Sequence, residues 1–134
     1  MTAIEVVDRF LMDLGVALRG LRAVSVEVAR ESPISPLMAR DVAGKRHRKG
    51  AIPGLGTYAL HGVGCRIEFD AGEEVDFDWT PDGSPSFDIS RLTKYATSID
   101  AQIPDESELL RACRNLAEKG ILREIAEGWF AVQA

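Results

Sequence analysis

The sequence has little cysteine and no long hydrophobic run. Its two cysteines, Cys65 and Cys113, are too few for the disulfide framework of a small secreted protein and favour a reducing compartment. No apolar stretch approaches the ~20 residues needed to cross a bilayer. Glu5, Asp8 and Arg9 interrupt the N-terminus, where a signal peptide would be apolar. These absences predict a cytoplasmic protein without a membrane partner.

Basic residues are also outnumbered. The chain has 16 Lys and Arg against 21 Asp and Glu, which gives a formal net charge of −5 at pH 7. This balance argues against nucleic acid as a general partner, because nucleic-acid-binding domains present a net basic footprint. With 134 residues, 46% of them hydrophobic, the chain can bury a core without disulfides or metals, and we expect one domain over residues 1–134.

Recognisable catalytic motifs are missing as well. The run 52–56 has two glycines but neither the Lys-Ser/Thr of a phosphate loop nor the third glycine of a dinucleotide fingerprint. His61 and Cys65 stand four residues apart, a spacing that matches no closed zinc motif. They could form a nucleophile pair, but strand alternation puts Cys65 on an apolar face and no orienting acid is identifiable. We therefore assign no catalytic residue, no metal ligand and no cofactor.

What the sequence does have is an acidic stretch within residues 57–88. Large apolar residues alternate with charged ones on both sides of a turn at 70–73, the pattern of a β-hairpin with one buried face. Residues 66–88 hold eight acidic residues and one basic residue, a net charge of −7. The buried face is predicted to carry Cys65, Ile67, Phe69, Val75, Phe77 and Trp79. The exposed face is predicted to carry Glu68, Asp70, Glu74, Asp76 and Asp78.

The N-terminal region predicts a long amphipathic helix laid across this sheet. Phe10 broadens an apolar stripe whose members recur at intervals of three and four residues. The same stripe could serve as a coiled-coil dimer seam, although Gly15 and Gly20 weaken that pattern. A monomer and a homodimer both stay open. The stripe consists of Ile4, Val7, Leu11, Leu14, Leu18 and Leu21.

Residues 39–56 are the second unusual region. Five basic residues against Asp41 alone give this stretch a net charge of +4, and four glycines interrupt it. Such a composition predicts a basic flexible loop at the surface. The loop could be a solvated connector, or a basic arm that touches a phosphate or folds back on the acidic face.

The C-terminal part predicts two helices and a hairpin. Asp88 is placed to cap a first helix, and Asp105 to cap a second that ends at Gly120. Two short strands follow, at 121–125 and 128–132. The predicted fold is therefore α+β: a single domain in which an antiparallel β-meander packs against a long N-terminal helix, with two further helices and a C-terminal β-hairpin.

The residues from 57 to 92 carry a resemblance. The runs HGVGC at 61–65, VDFDW at 75–79, DG at 82–83 and FDISRL at 87–92 resemble an HGxGC…VDFD…DG…FDxxRL signature of a family of small uncharacterised bacterial proteins. The family is similar to immunity proteins. The resemblance implies a protein-binding domain and transfers no catalytic residue.

The function predicted from these features is non-enzymatic. The acidic sheet face, with His61 at its end, would dock a basic, toxin-like protein through Glu68, Asp70, Glu74, Asp76 and Asp78, because charge complementarity speeds and selects encounters. A first alternative is a metal-dependent hydrolase that uses the same carboxylates. A second is DNA binding, because residues 105–132 resemble the last helix and wing of a winged-helix domain, although their charge is close to neutral.

Overall fold

A long helix, a seven-stranded antiparallel sheet and two shorter helices make up the computed structural model, which describes residues 1–31 and 47–133 and the side chains of 1–24 and 49–133. The predicted α+β fold is confirmed. The elements in chain order are α1 (Ala3–Glu31), β1 (His47–Ile52), β2 (Gly56–His61), β3 (Gly64–Phe69), β4 (Glu74–Trp79), β5 (Pro85–Asp88), α2 (Ile89–Ser98), α3 (Glu106–Glu118), β6 (Leu122–Ala126) and β7 (Trp129–Val132).

The sheet joins two differently connected halves. Strands β1 to β5 form a meander in which each strand pairs with the next, and the order ends β5-β7-β6 because the last strand pairs with β5. Strand β5, helices α2 and α3 and the β6–β7 hairpin follow one another in the chain, and β7 returns to pair with β5. We call this part of the chain the C-terminal half.

Helix α1 begins with a capping box and buries a slightly different stripe from the predicted one. The Glu5 N–H donates to Thr2 Oγ1 while the Thr2 N–H donates to Glu5 Oε1, so two helix-end donors are satisfied. Ile4 lies outside the core at 57% exposure, whereas Phe10 is fully buried. The predicted seam is thus rotated by about one position. The buried stripe consists of Val6, Val7, Phe10, Leu14, Ala17, Leu21 and Val24.

One hydrophobic core lies between the inner face of the sheet and the helices. The Phe10 ring meets Phe87 of β5 edge-on at a centroid distance of 4.8 Å and Tyr95 of α2 at 5.4 Å. Phe77 and Trp79 of β4 form a second edge-to-face pair at 5.0 Å. Offset and edge-on ring pairs add to the free energy of burial. The Phe10 contacts join α1 to α2 and β5, and the second pair packs two neighbouring core residues of β4 together.

The acidic hairpin has the predicted register. Burial alternates along β3 and β4, with Phe69 half-buried, and the turn between them contains Gly72 at φ +112°, a conformation that favours glycine. At the same end of β3, a Cβ on Gly56 would lie 2.0 Å from the Glu68 carbonyl oxygen. Glycine at position 56 therefore allows β2 to approach β3 closely.

Two strands were missed in the sequence. Residues 47–52 form β1, and β2 starts at 56, so this half of the predicted 39–56 loop is paired backbone, while residues 39–46 lie outside the described part. Only Ile52 of β1 is buried among its described side chains, and so the strand lacks the alternating pattern that would reveal it. Strand β5 is not predicted because its first residue, Pro85, ends a run of turn-forming residues at 80–85 and its last, Asp88, has the pattern of a helix cap.

Replacing Phe10 with alanine tests the rotated stripe. Because Phe10 is fully buried between two rings, the substitution should lower the free energy of unfolding by about 3–5 kcal/mol, as measured by urea denaturation. The control, Ile4→Ala, removes an exposed side chain of the same helix and should change stability by less than about 0.5 kcal/mol. Equal effects of the two substitutions would contradict this packing.

Candidate functional site

The outer face of β3 and β4 carries the predicted acidic residues in cross-strand rows. Glu68 lies opposite Glu74, Arg66 opposite Asp76, and Gly64 opposite Asp78. Residues directly opposite each other share one face and lie about 4.5–5.5 Å apart. The first row therefore places two carboxylates side by side, and the second pairs a base with an acid.

Helix α2 brings two cations to the outer face of β4. Because β5 pairs with β4 only at Asp78 and Trp79, α2 lies beside the rest of the strand. From this helix Lys94 Nζ reaches Asp76 Oδ2 at 2.8 Å and Arg91 NH2 reaches Asp78 Oδ2 at 3.0 Å. Both carboxylates are thus neutralised by residues that follow the acidic stretch in sequence.

The ion pairs form two clusters, Asp76 with Arg66 and Lys94, and Arg91 with Asp78 and Asp88, which we together call the network and whose charges sum to zero. Arg66 Nε contacts Asp76 Oδ1 at 3.1 Å, and this hydrogen bond raises the pKa of the arginine. Arg91 contacts Asp88 as well as Asp78, and its guanidinium lies 4.8 Å from the centre of the Trp129 ring. Asp88 also caps α2, since its side chain accepts the Arg91 N–H. Three cations and three carboxylates make up the network: Arg66, Arg91, Lys94, Asp76, Asp78 and Asp88.

The carboxylates at the tip of the β3–β4 hairpin, unlike those of the network, form no ion pairs within the described residues. We call Glu68, Asp70, Glu73 and Glu74 the acidic tip. Within the described residues, no Lys or Arg side chain lies at ion-pair distance from any of these four carboxylates. Glu68 and Asp70 are exposed, and Glu73 and Glu74 are half-buried. The negative charge predicted for the whole face is therefore concentrated at one end of it.

A trough of about 890 Å³ lies on the outer face of strands β1 to β4. Its floor is formed by small residues of the central strands, among them Thr57, Ala59 and Gly64. His61 is exposed at the end remote from the acidic tip, in the same cross-strand row as Asp78. The structure thus brings His61, Glu68, Asp76 and Asp78 to one concave surface, while Asp70 lies in the turn beyond it.

The same strands separate His61 from Cys65. His61 is exposed on the outer face, whereas Cys65 is buried on the inner face, and burial raises the pKa of its thiol to about 12. The two side chains therefore do not meet as a base and a nucleophile. Throughout the described residues, no group of three His, Cys, Asp or Glu side chains is arranged to hold a metal ion.

Sequence reasoning missed the cations that lie across from the acidic stretch. Arg91 and Lys94 stand three residues apart on α2, and one helical turn places such residues on the same side. Their spacing was visible in the sequence, but the packing of α2 beside β4 was not. Lys49, assigned to a loop, is a β1 residue that lines the trough.

None of the helices that the structure describes combines the length and apolar character required of a transmembrane segment.

Neutralising one carboxylate in each zone should have different effects on stability. Asp76→Asn removes an acceptor that two cations share at 18% exposure, and should lower the free energy of unfolding by about 1–3 kcal/mol near pH 7. Glu68→Gln removes one of two opposed like charges, and should leave stability unchanged or raise it by up to about 0.5 kcal/mol. Urea denaturation of both variants checks this, and a larger loss in Glu68→Gln would contradict the division.

The thiols should be unreactive in the folded protein. Burial raises the pKa of both Cys65 and Cys113 to about 12, so almost no thiolate forms at about pH 8. Ellman's reagent should modify both thiols quickly in denaturant and neither quickly without it. Rapid modification of Cys65 in the native protein would reopen a catalytic role for it.

Comparison with known proteins identifies a family whose function is unknown. No curated protein and no solved structure matches the chain significantly. Residues 5–131 match the model of DUF6896, described as a domain of unknown function. The match covers nearly the whole chain, including all the strands and helices that form the network, the acidic tip and the trough. The chain belongs to the DUF6896 family.

Proposed function

We propose that this protein is a non-enzymatic, immunity-like binding domain that docks a basic protein partner through the acidic tip. One observation carries the proposal: Glu68 and Glu74 lie directly opposite each other, with Asp70 and Glu73 in the adjoining turn and no Lys or Arg of the described residues in contact. The family resemblance, which implies binding and transfers no catalytic residue, points the same way.

The energetic argument rests on the opposed like charges. Directly opposite carboxylates on one sheet face destabilise a hairpin, whereas an opposite-charge pair would stabilise it by about 0.2–1 kcal/mol. The fold forms ion pairs to Asp76 and Asp78, whereas Arg66, a described cation that attracts Glu68 and Glu74, makes its ion pair with Asp76 instead. A Lys or Arg from another protein would relieve this repulsion. The repulsion that destabilises the free protein would therefore favour formation of the complex.

The six predicted binding residues thus divide into different roles. Glu68, Asp70 and Glu74 would contact the partner directly. Asp76 and Asp78 would act indirectly, by holding the cations that shape the outer face. His61, at the opposite end of the trough, would lie at the edge of the interface.

A metal-dependent hydrolase is less well supported by the same geometry. Its best candidate ligands, Asp76 and Asp78, already accept hydrogen bonds and ion pairs from Arg66, Arg91 and Lys94. A divalent cation would have to displace these side chains and leave them beside its own charge. Calorimetric titration with Mg²⁺, Mn²⁺ and Ca²⁺ should accordingly show no saturable site tighter than about millimolar. Micromolar binding that Asp76→Asn abolishes would support the hydrolase instead.

The order of the C-terminal strands and helices, which resembles that of a winged helix, favours DNA binding, whereas the surface charge of α3 argues against it. Helix α3 occupies the position of a recognition helix, before the β6–β7 hairpin. Its exposed face mixes Arg111 and Lys119 with Glu106, Glu108 and Glu118. Arg114, which could contact a phosphate, is instead bound to Glu124 through two hydrogen bonds of 3.1 Å. This surface lacks the basic excess that affinity for a phosphate backbone requires.

Charge reversal at the turn tests the proposed function. The variant Asp70→Lys/Glu73→Lys should fold normally and should capture less of a stoichiometric protein partner from its native host. With the purified partner, its association rate should fall by about tenfold or more at low salt and depend less on salt concentration, because charges at the rim of an interface act mainly on encounter.

The matched control is Glu118→Lys/Glu127→Lys, which makes the same change of charge on exposed residues of α3 and the β6–β7 turn. It should associate at the wild-type rate. Loss of binding in the control but not in the tip variant would place the interface on α3 and the β6–β7 hairpin and would overturn the proposal.

A further inference from the structure

The trough has the size and construction of a ligand site. At about 890 Å³ it falls within the ~300–1,000 Å³ typical of small-ligand pockets. It exists because three outward-facing residues are small: Thr57 and Ala59 alternate with the buried Tyr58 and Leu60 of β2, and Gly64 of β3 lies opposite His61. A larger side chain at position 59 would fill its centre.

Two charged residues that line the trough take no part in the ion-pair network. Arg66 and Arg91 are engaged by Asp76, Asp78 and Asp88. Of the charged trough residues, Lys49 and Glu68 make no ion pair within the part of the chain that the structure describes. The trough therefore offers a ligand one base and one acid that form no ion pair within the described residues, with Glu68 attracted by the neighbouring Arg66.

The positions of these two charges follow from the register. Lys49 lies opposite Ala59 on β2, and Ala59 lies opposite Arg66 on β3. Glu68 lies opposite Thr57, two residues along β2 from Ala59. Rows that are two residues apart in a strand are separated by about 7 Å. A basic row of Lys49 and Arg66 thus runs beside an acidic position at Glu68, with the small residues of β2 between them.

The Arg66 guanidinium has hydrogen-bond donors that a ligand in this row could engage. Its side chain is 48% exposed and contacts Asp76 through Nε. The terminal amino groups of its guanidinium make no hydrogen bond to any described residue. A carboxylate above Ala59 could accept from Arg66 on one side and from Lys49 on the other, a geometry that favours charge-assisted hydrogen bonds.

We propose that the trough binds an extended peptide segment of the protein partner in which an acidic and a basic residue are separated by one residue. The acidic side chain lies over Ala59 between Lys49 and Arg66, and the basic side chain lies beside Thr57 and pairs with Glu68. Residues i and i+2 of an extended chain point to the same side about 7 Å apart, which is the spacing of the two rows. This inference rests on the proposed function and adds what the partner must present.

An extended segment fits better than a helix. A helix with its side chains is about 10–12 Å across. The strands that carry Lys49 and Glu68 are separated by β2 alone, a lateral interval of about 10 Å that also has to contain those two side chains. A single extended chain leaves room for both to reach their partners.

Selection from a displayed library of short random peptides on the immobilised protein tests the chemistry. Enriched peptides should share an acid-x-base or base-x-acid pattern. A synthetic peptide of that pattern should bind Ala59→Phe and Lys49→Glu at least about tenfold more weakly than wild type by fluorescence anisotropy, because the first fills the floor and the second repels the carboxylate. Exchanging the acid of the peptide for lysine should restore binding to Lys49→Glu.

Ala126→Phe is the matched control, since it makes the same substitution at an exposed strand position outside the trough. It should bind the peptide as wild type does. Enriched peptides without paired charges, or equal binding to Ala59→Phe and wild type, would overturn the inference.

Partner capture separates this inference from the proposed function. If Asp70→Lys/Glu73→Lys loses the protein partner while Ala59→Phe retains it at wild-type strength, the acidic tip is the interface and the trough proposal fails. If Ala59→Phe also loses the partner and remains as stable as Ala126→Phe, both proposals are supported. If both variants keep the partner, both proposals fail.

Discussion

The ion pair between Arg91 and Asp78 is the interaction on which the architecture of the outer face depends. It ties the first turn of α2 to β4 at the point where β5 leaves the strand. Through Asp88 the same guanidinium holds the start of the helix, and through Trp129 it reaches β7. One side chain thus connects the meander to the C-terminal half. The runs that carry the family resemblance supply three of these residues, namely Asp78, Asp88 and Arg91.

The placement of α2 also divides the acidic charge into two kinds. Near Arg91 and Lys94 the carboxylates are half-buried and neutralised, so they stabilise the fold and shape the surface. The hairpin extends beyond the reach of these cations, and its carboxylates face one another and the solvent. A net charge of −7 in the sequence between residues 66 and 88 therefore overstates how much of that charge a partner would meet.

Much of the fold could be predicted because its signals are local. The alternation in β3 and β4, the cap at Asp88 and the β6–β7 hairpin each follow from a few neighbouring residues. Strand β1 could not be found this way, since Ile52 is its one buried residue among those described. The strand is defined by its pairing with β2, which is not a local signal. Whether a carboxylate is neutralised or free depends on tertiary packing, and so the sequence placed all five carboxylates on one solvent-exposed face.

Prediction of the candidate site was limited in the same way by its dependence on tertiary packing. The sequence identified Glu68, Asp70 and Glu74, which carry the proposed function, but it grouped them with Asp76, whose cations come from β3 and α2. The trough was invisible, because it results from small residues on adjacent strands that share one face only when the register is known. A cross-strand row is a property of pairing, and one strand read alone does not contain it.

Hydrogen–deuterium exchange of the protein with and without its captured partner tests the central claim most directly. The account predicts added protection over residues 56–76, which cover β2, β3, the acidic tip and the start of β4, with unchanged exchange in α3, β6 and β7. Protection confined to residues 106–132 would place the partner on α3, β6 and β7 and would contradict the account.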